Sequence, residues 1–163
     1  EAHAKNQMTE GELENITGSS EVHEGGMPEI IYSDPVRDAQ FVRETGVDTF
    51  AVSIGNVHGM YPKPKILDFD LLKRLREAMD CFFSLHGSSG ISDDQIKKAI
   101  PLGIVKINLN TEIRKAYRET LEKVLRENKG EYAMYKIMPP VIEAVQAVVE
   151  KKMDLFESSG KAT

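Results

Sequence analysis

Short apolar runs alternate with stretches of helical periodicity along this chain. Three runs read as buried strands: Thr49-Phe50-Ala51-Val52-Ser53-Ile54, Phe82-Phe83-Ser84-Leu85-His86 and Ile104-Val105-Lys106-Ile107-Asn108. Unbroken apolarity over such short lengths suits a parallel strand covered on both faces. A fourth segment, Met8-Thr9-Glu10-Gly11-Glu12-Leu13, precedes them. It is polar for a strand, and periodicity alone supports it only weakly.

Helices are expected between and after the strands. Ser33-Asp34-Pro35 supplies a cap and a first-turn proline, Val36, Ala39 and Val42 follow at helical spacing, and Gly46 stops the helix. Asp68 or Asp70 can cap a helix carrying Leu71, Leu72, Leu75 and Met79. Ser92-Asp93-Asp94-Gln95 reads as a capping box ahead of Ile96, Ala99 and Ile100, with Gly103 after. Asn110 or Thr111 can cap a long helix through Ile113, Tyr117, Leu121, Val124 and Leu125. A last helix is expected from about Pro139-Pro140, through Val141, Val145, Val149 and Met153.

Strand–helix alternation with apolar strands is the pattern of a parallel α/β fold. No Gly-x-Gly-x-x-Gly follows a strand, which argues against a dinucleotide-binding open sheet. All four strands instead end in polar, chemically useful residues: Glu12, Asn56 and His58, His86, and Asn108 and Asn110. A (β/α)8 barrel builds its active site at that face. Four βα units are half a barrel, with two unpaired edges and an open core, so residues 1–163 are expected to be part of one barrel domain in a longer protein. The absence of a leading Met fits that expectation.

Composition changes this picture little. The 163 residues carry 40% hydrophobic and 29% charged side chains and a net charge of -5, an ordinary globular balance without the basic footprint of a nucleic-acid or anionic-membrane binder. No apolar run reaches the roughly 18 residues of a membrane span. Cys81 stands alone, so no internal disulfide can form, and a reducing, cytoplasmic setting is expected.

Two histidines carry the sharpest chemistry. His58 lies in Gly55-Asn56-Val57-His58-Gly59, just past the second strand, and His86 ends the third in Leu85-His86-Gly87-Ser88-Ser89-Gly90. A lone histidine is ordinarily a loop or core residue. Two at matched strand ends, each followed by glycine, are more specific, because parallel neighbours lie about 4.8 Å apart and imidazoles leaving one face can share a metal. Both Gly87-Ser88-Ser89-Gly90 and Asn108-Leu109-Asn110-Thr111 run towards helix N-termini, where free N–H groups suit a phosphate. His3 and His23 read as surface residues, Cys81 as a buried inert thiol, and the Tyr132–Tyr135 stretch as helix packing.

Three blocks together, Gly55-Asn56-Val57-His58-Gly59-Met60-Tyr61, Leu85-His86-Gly87-Ser88-Ser89-Gly90 and Val105-Lys106-Ile107-Asn108-Leu109-Asn110-Thr111, resemble class II ketose-bisphosphate aldolases, nearest the fructose and tagatose branch. Glu10-Gly11-Glu12-Leu13 resembles the acidic strand that precedes them in that family. The resemblance runs along nearly the whole chain. It implies a TIM barrel, here its last four βα units, with His58 and His86 as two of three zinc-binding histidines and Glu12 as an alternative metal ligand. It implies that Gly59, Gly87, Ser88, Ser89, Asn108, Leu109, Asn110, Thr111 and Lys136 hold the phosphates and hydroxyls of a phosphorylated ketose. Asn108 would sit beside the reacting carbons. The implied reaction is reversible cleavage of a ketose 1,6-bisphosphate to dihydroxyacetone phosphate and glyceraldehyde 3-phosphate, in a homodimer or larger homo-oligomer.

The chain departs from the family pattern at three places. The Asp-His pair that supplies the acid/base and the third zinc histidine is absent, since it belongs to the family's N-terminal half. Thr17-Gly18-Ser19-Ser20-Glu21 stands where Gly-Gly and consecutive acidic residues are usual. Lys136 replaces an arginine, keeping the charge without its bidentate fork. These departures motivate an alternative: a catalytically altered member that binds metal and sugar phosphate.

Overall fold

The computed structural model describes residues 1–161, which form two compact units, Glu1–Leu109 and the residues from Asn110 onward. The first holds β1 (Glu10–Gly11), α1 (Pro35–Thr45), β2 (Thr49–Ala51), α2 (Phe69–Ala78), β3 (Phe82–Leu85), α3 (Asp93–Ala99) and β4 (Ile104–Ile107). The second holds α4 (Thr111–Glu127) and α5 (Met134–Leu155). The strands form one parallel sheet in chain order, β1-β2-β3-β4, so the fold class is α/β. Among the described residues no helix is long and apolar enough to cross a membrane.

Local chemistry explains most boundaries. Asp34 caps α1 by accepting from the N–H groups of Val36 (3.0 Å) and Arg37 (2.9 Å), with Pro35 in the first turn. Gly46 ends that helix at φ 66°, where a side chain would be strained. Asp68, rather than Asp70, caps α2 through the Leu71 N–H at 2.8 Å. The apolar stripe Leu71, Leu72 and Leu75 is then buried. Asp48 anchors the start of the sheet by accepting from the Thr9 N–H (2.7 Å), with the His3 ring at 2.9 Å; these contacts hold its carboxyl down to about 2.

Several expectations need correction. The first strand is two residues long rather than six, because the chain after Gly11 turns inward: Glu14 is buried and pairs with Arg37 of α1, with Ser33 at 3.5 Å. The capping box at Ser92 does not form. Gln95 instead accepts from the Leu67 N–H (2.7 Å) and donates to the Lys65 carbonyl (2.8 Å), tying a long loop to α3. The last helix begins at Met134, so both prolines lie inside it. Their missing N–H groups forgo bonds to the Tyr135 and Lys136 carbonyls, but proline's fixed φ is helical. The preceding turn is already closed by bonds from Lys136 (3.0 Å) and Ile137 (3.2 Å) to the Ala133 carbonyl.

Side chains alternate across the sheet. Phe50, Phe83 and Ile104 point to the helices and are buried there, Phe50 against Phe41 of α1 and Phe83 beneath Arg76 of α2. Between Phe83 and Ser84 the β3–β4 register shifts, leaving Val105 as the extra residue of a bulge. The opposite sheet face is an open trough lined by Met8, Glu10, Thr49, Phe82 and Lys106. Phe82 is 52% exposed there, against 0% for Phe50. In the second unit α4 packs on α5, and Lys152 meets Glu112 at 2.9 Å. Tyr132 and Tyr135 are 88% and 77% exposed, so they do not make the helix packing expected of them.

Two phenylalanines test which face is the core. Phe50→Ala should cost this chain about 3–5 kcal/mol in urea unfolding, as for a filled core site. Phe82→Ala should cost less than half as much. Equal losses would contradict the assignment of faces.

Candidate metal centre

Four chain segments converge at the C-terminal ends of the strands: the end of β1, the loops after β2 and β3, and the end of β4. The β2–β3 ladder continues past the strands through the Val52 N–H to the Ser84 carbonyl at 3.1 Å. Asn56 is buried and bridges the two strand ends. Its Nδ2 donates to the carbonyls of Val52 and His86, both at 3.1 Å, and its Oδ1 accepts from the Ile54 N–H at 2.8 Å. The imidazoles of His58 and His86 are thereby brought to a centroid separation of 6.3 Å, with their rings at 73°.

The two rings have different surroundings. Burial, then the nearby His86 and Lys65, lower the pKa of His58 from its usual 6.5, outweighing the opposite pull of Glu12. His58 is therefore biased to the neutral form that a metal requires. His86 Nε2 lies 2.8 Å from Glu10 Oε1 and 3.0 Å from Asn108 Nδ2, so it faces an acceptor and a donor at once. Nδ1 faces Glu12 Oε2 at 3.7 Å. A carboxylate on one imidazole nitrogen is the arrangement that fixes the other nitrogen's lone pair for a metal.

Glu10 went unrecognised in the sequence. It bridges His86 and the Lys106 Nζ (2.9 Å), and although burial pushes its carboxyl up, those two hydrogen bonds bring it below its usual value. The signal was available: Glu10-Gly11-Glu12 places two carboxylates on one sheet face. Gly11 between them leaves room for the Phe41 ring, 2.7 Å from where a Cβ would stand.

The other expected site residues fall into two groups. Glu12, His58, Gly59, His86, Gly87, Ser88, Ser89, Asn108 and Leu109 all belong to the first unit. Ser88 and Ser89 are buried, and the Ser88 hydroxyl donates to the Asn108 carbonyl at 2.7 Å. Gly59 and Gly87 have φ of 87° and 60°. At Gly87 a Cβ would overlap the Val57 carbonyl, so glycine is needed for the loops after β2 and β3 to meet. Asn110, Thr111 and Lys136 belong to the second unit. Asn110 sits at the N-cap of α4 without a side-chain bond, Thr111 is buried, and Lys136 pairs with Glu131 at 2.8 Å. His3 is exposed, as expected, whereas His23 is half-buried and stacked on Tyr61 at 4.4 Å. Cys81 is buried, and burial raises its thiol pKa.

Among the described residues no three His, Cys, Asp or Glu side chains form a group able to hold a metal ion. Two imidazoles, one of them kept neutral and the other backed by a carboxylate, do fit two of the three protein positions of a catalytic zinc site.

The lowered pKa of His58 carries a pH dependence. A neutral form favoured by the fold means that stability is fully present above 6.5 and is lost as pH falls from 6.5 through the lower folded value. Without metal, the urea midpoint should fall between pH 7.5 and 5.5, and His58→Gln should reduce that fall. An undiminished fall in the variant would assign the dependence to other groups.

The model of the family described as fructose-bisphosphate aldolase class-II matches residues 1–161. A fructose-bisphosphate aldolase of Streptococcus pneumoniae serotype 4 is 40% identical, over 99% of this chain and 57% of that protein. Among solved structures, the YdjI aldolase from Escherichia coli K12 matches with a TM-score of 0.73 and 35% identity, over 99% of this chain and 52% of that one. A putative fructose-1,6-bisphosphate aldolase from Coccidioides immitis matches with a TM-score of 0.76 and 31% identity, over 98% and 55%. The chain spans about half the length of the curated relatives it matches.

Proposed function

The chain belongs to the class II fructose-bisphosphate aldolase family, and from that premise we propose that it forms the C-terminal half of a (β/α)8 barrel in a zinc-dependent aldolase. The full-length protein cleaves a ketose 1,6-bisphosphate reversibly, fructose 1,6-bisphosphate foremost, to dihydroxyacetone phosphate and glyceraldehyde 3-phosphate. The observation that carries this reading is the pair of imidazoles, 6.3 Å apart on the segments that follow two adjacent parallel strands, with Glu10 behind one of them.

In this reading His58 and His86 hold the zinc with a third ligand from outside these residues, and Glu12 is an alternative ligand. The zinc would supply Lewis acidity to polarise the ketose carbonyl. Glu10 orients the His86 ring. Asn108, whose amide nitrogen lies 3.0 Å from that ring, would sit beside the substrate's reacting carbons. In the first unit, Gly59 and the turn of Gly87, Ser88 and Ser89 are proposed to offer backbone N–H groups to phosphates and hydroxyls, with Asn108 and Leu109 after β4; in the second unit, Asn110, Thr111 and Lys136 are proposed phosphate contacts. The open trough beneath Phe82 is the face that the remaining strands would cover. The protein works in the cytoplasm as a homodimer or larger homo-oligomer.

The test is metal analysis with coupled assay of triose phosphate release by the full-length protein. One zinc per site is expected, with cleavage abolished by chelator and restored by zinc. His58→Ala should lower kcat/KM by roughly 10²–10³-fold or more. Zinc binding should weaken as pH falls and protons compete for the imidazoles. A protein that binds zinc but cleaves no ketose bisphosphate would instead be the altered, binding-only member. A protein that cleaves without any metal would refute the zinc reading.

A further inference from the structure

Lys65 is 1% exposed, in the loop between β2 and α2. Its Nζ donates to four backbone carbonyls: Val57 and Gly59 at 2.6 Å, Gly87 at 2.8 Å and Ser89 at 2.5 Å. An ammonium has three N–H bonds, so four acceptors share them. Burying such a charge without partners is costly, and converging carbonyl dipoles offset that cost. The converse also holds: four carbonyl oxygens turned to one point repel each other unless a cation stands between them.

Those carbonyls come from the two loops that carry the candidate ligands. Val57 and Gly59 flank His58 on either side, and Gly87 directly follows His86. The loops touch where Gly87 meets the Val57 carbonyl, without room for a Cβ. Lys65 is itself held from behind, since Gln95 of α3 donates to its carbonyl at 2.8 Å and accepts from the Leu67 N–H at 2.7 Å. A chain of bonds thus runs from α3 through Lys65 to both loops.

We propose that Lys65 is a positioning residue, an internal cation that clamps the His58 and His86 loops together and sets the spacing of the two imidazoles. Its effect on metal affinity rests on the zinc reading given above. Its effect on the loops does not. The local sequence Pro64-Lys65-Ile66 gives no sign of this role, because the four acceptors are backbone atoms and leave no mark in residue type.

The test compares full-length wild type, Lys65→Met and Lys65→Ala by amide hydrogen exchange without metal and by zinc competition against a chromogenic chelator. In Lys65→Met, exchange should accelerate at least about tenfold in residues 56–60 and 86–91 while α1 and β4 keep their protection. Zinc affinity should fall roughly 10–100-fold, as for other groups that orient metal ligands. In Lys65→Ala, n-propylammonium chloride should restore both loop protection and zinc affinity, and tetramethylammonium chloride at equal ionic strength should not. Lys65→Met should not respond, because its side chain fills the space of the lysine stem. Unchanged loop exchange in Lys65→Met would overturn the proposal. So would uniform acceleration across the first unit together with no rescue of Lys65→Ala, which would make Lys65 a general folding residue. If Lys65→Met does not fold, rescue of Lys65→Ala decides alone. If wild type itself takes up no zinc, the metal reading fails, and loop exchange still judges the clamp.

Discussion

The parallel pairing of β2 with β3 is the constraint on which the rest depends. Thr49 faces Phe82, Phe50 faces Phe83 and Ala51 faces Ser84, so the two strands run in step and release their loops on the same edge of the sheet. Neighbouring parallel strands are held about 4.8 Å apart by their hydrogen bonds. Asn56 extends the tie beyond the ladder, reaching the His86 carbonyl at 3.1 Å, and Lys65 joins the two loops through their carbonyls. A shift of one residue in register would send the side chains of β3 to the opposite face and separate the rings. The buried row of Phe50 and Phe83 against the helices fixes that register, so core packing and site geometry are one requirement.

Charge is placed around this frame with little waste. Glu10 answers both Lys106 and the His86 ring, while Lys65 answers four carbonyls. Among the described residues His58 has no carboxylate within hydrogen-bond reach, and burial, with His86 and Lys65 nearby, lowers its pKa. The pair is therefore asymmetric, with one imidazole oriented by a carboxylate and the other tuned by its surroundings. That asymmetry suits metal ligation better than it suits a structural ion pair, which would favour two charged partners. It also assigns separate jobs to residues with similar chemistry: Glu10 fixes a ring, whereas Glu14, buried against Arg37, fixes the loop that follows Glu12.

Much of this was legible in the chain. The strands at Phe50, Phe83 and Ile104 were visible because each buries a short apolar run, and the caps at Asp34 and Asp68 because a side chain makes the bond. His58 and His86 were visible because each sits at a strand end before a glycine. What escaped depended on long-range partners. The early end of β1 is set by Glu14 finding Arg37, the failed cap at Ser92 by Gln95 finding the Lys65 loop, and the early start of α5 by a closed turn ahead of its prolines. Glu10 was hidden in a polar strand, and Lys65 was hidden because backbone carbonyls carry no residue signature.

The most direct measurement is anomalous diffraction at the zinc edge from crystals of the full-length protein. A single strong peak is expected about 2.0–2.1 Å from one nitrogen of His58 and one of His86, with Glu10 still on the far side of the His86 ring. A zinc peak elsewhere, or none between these two imidazoles at saturating zinc, would contradict it.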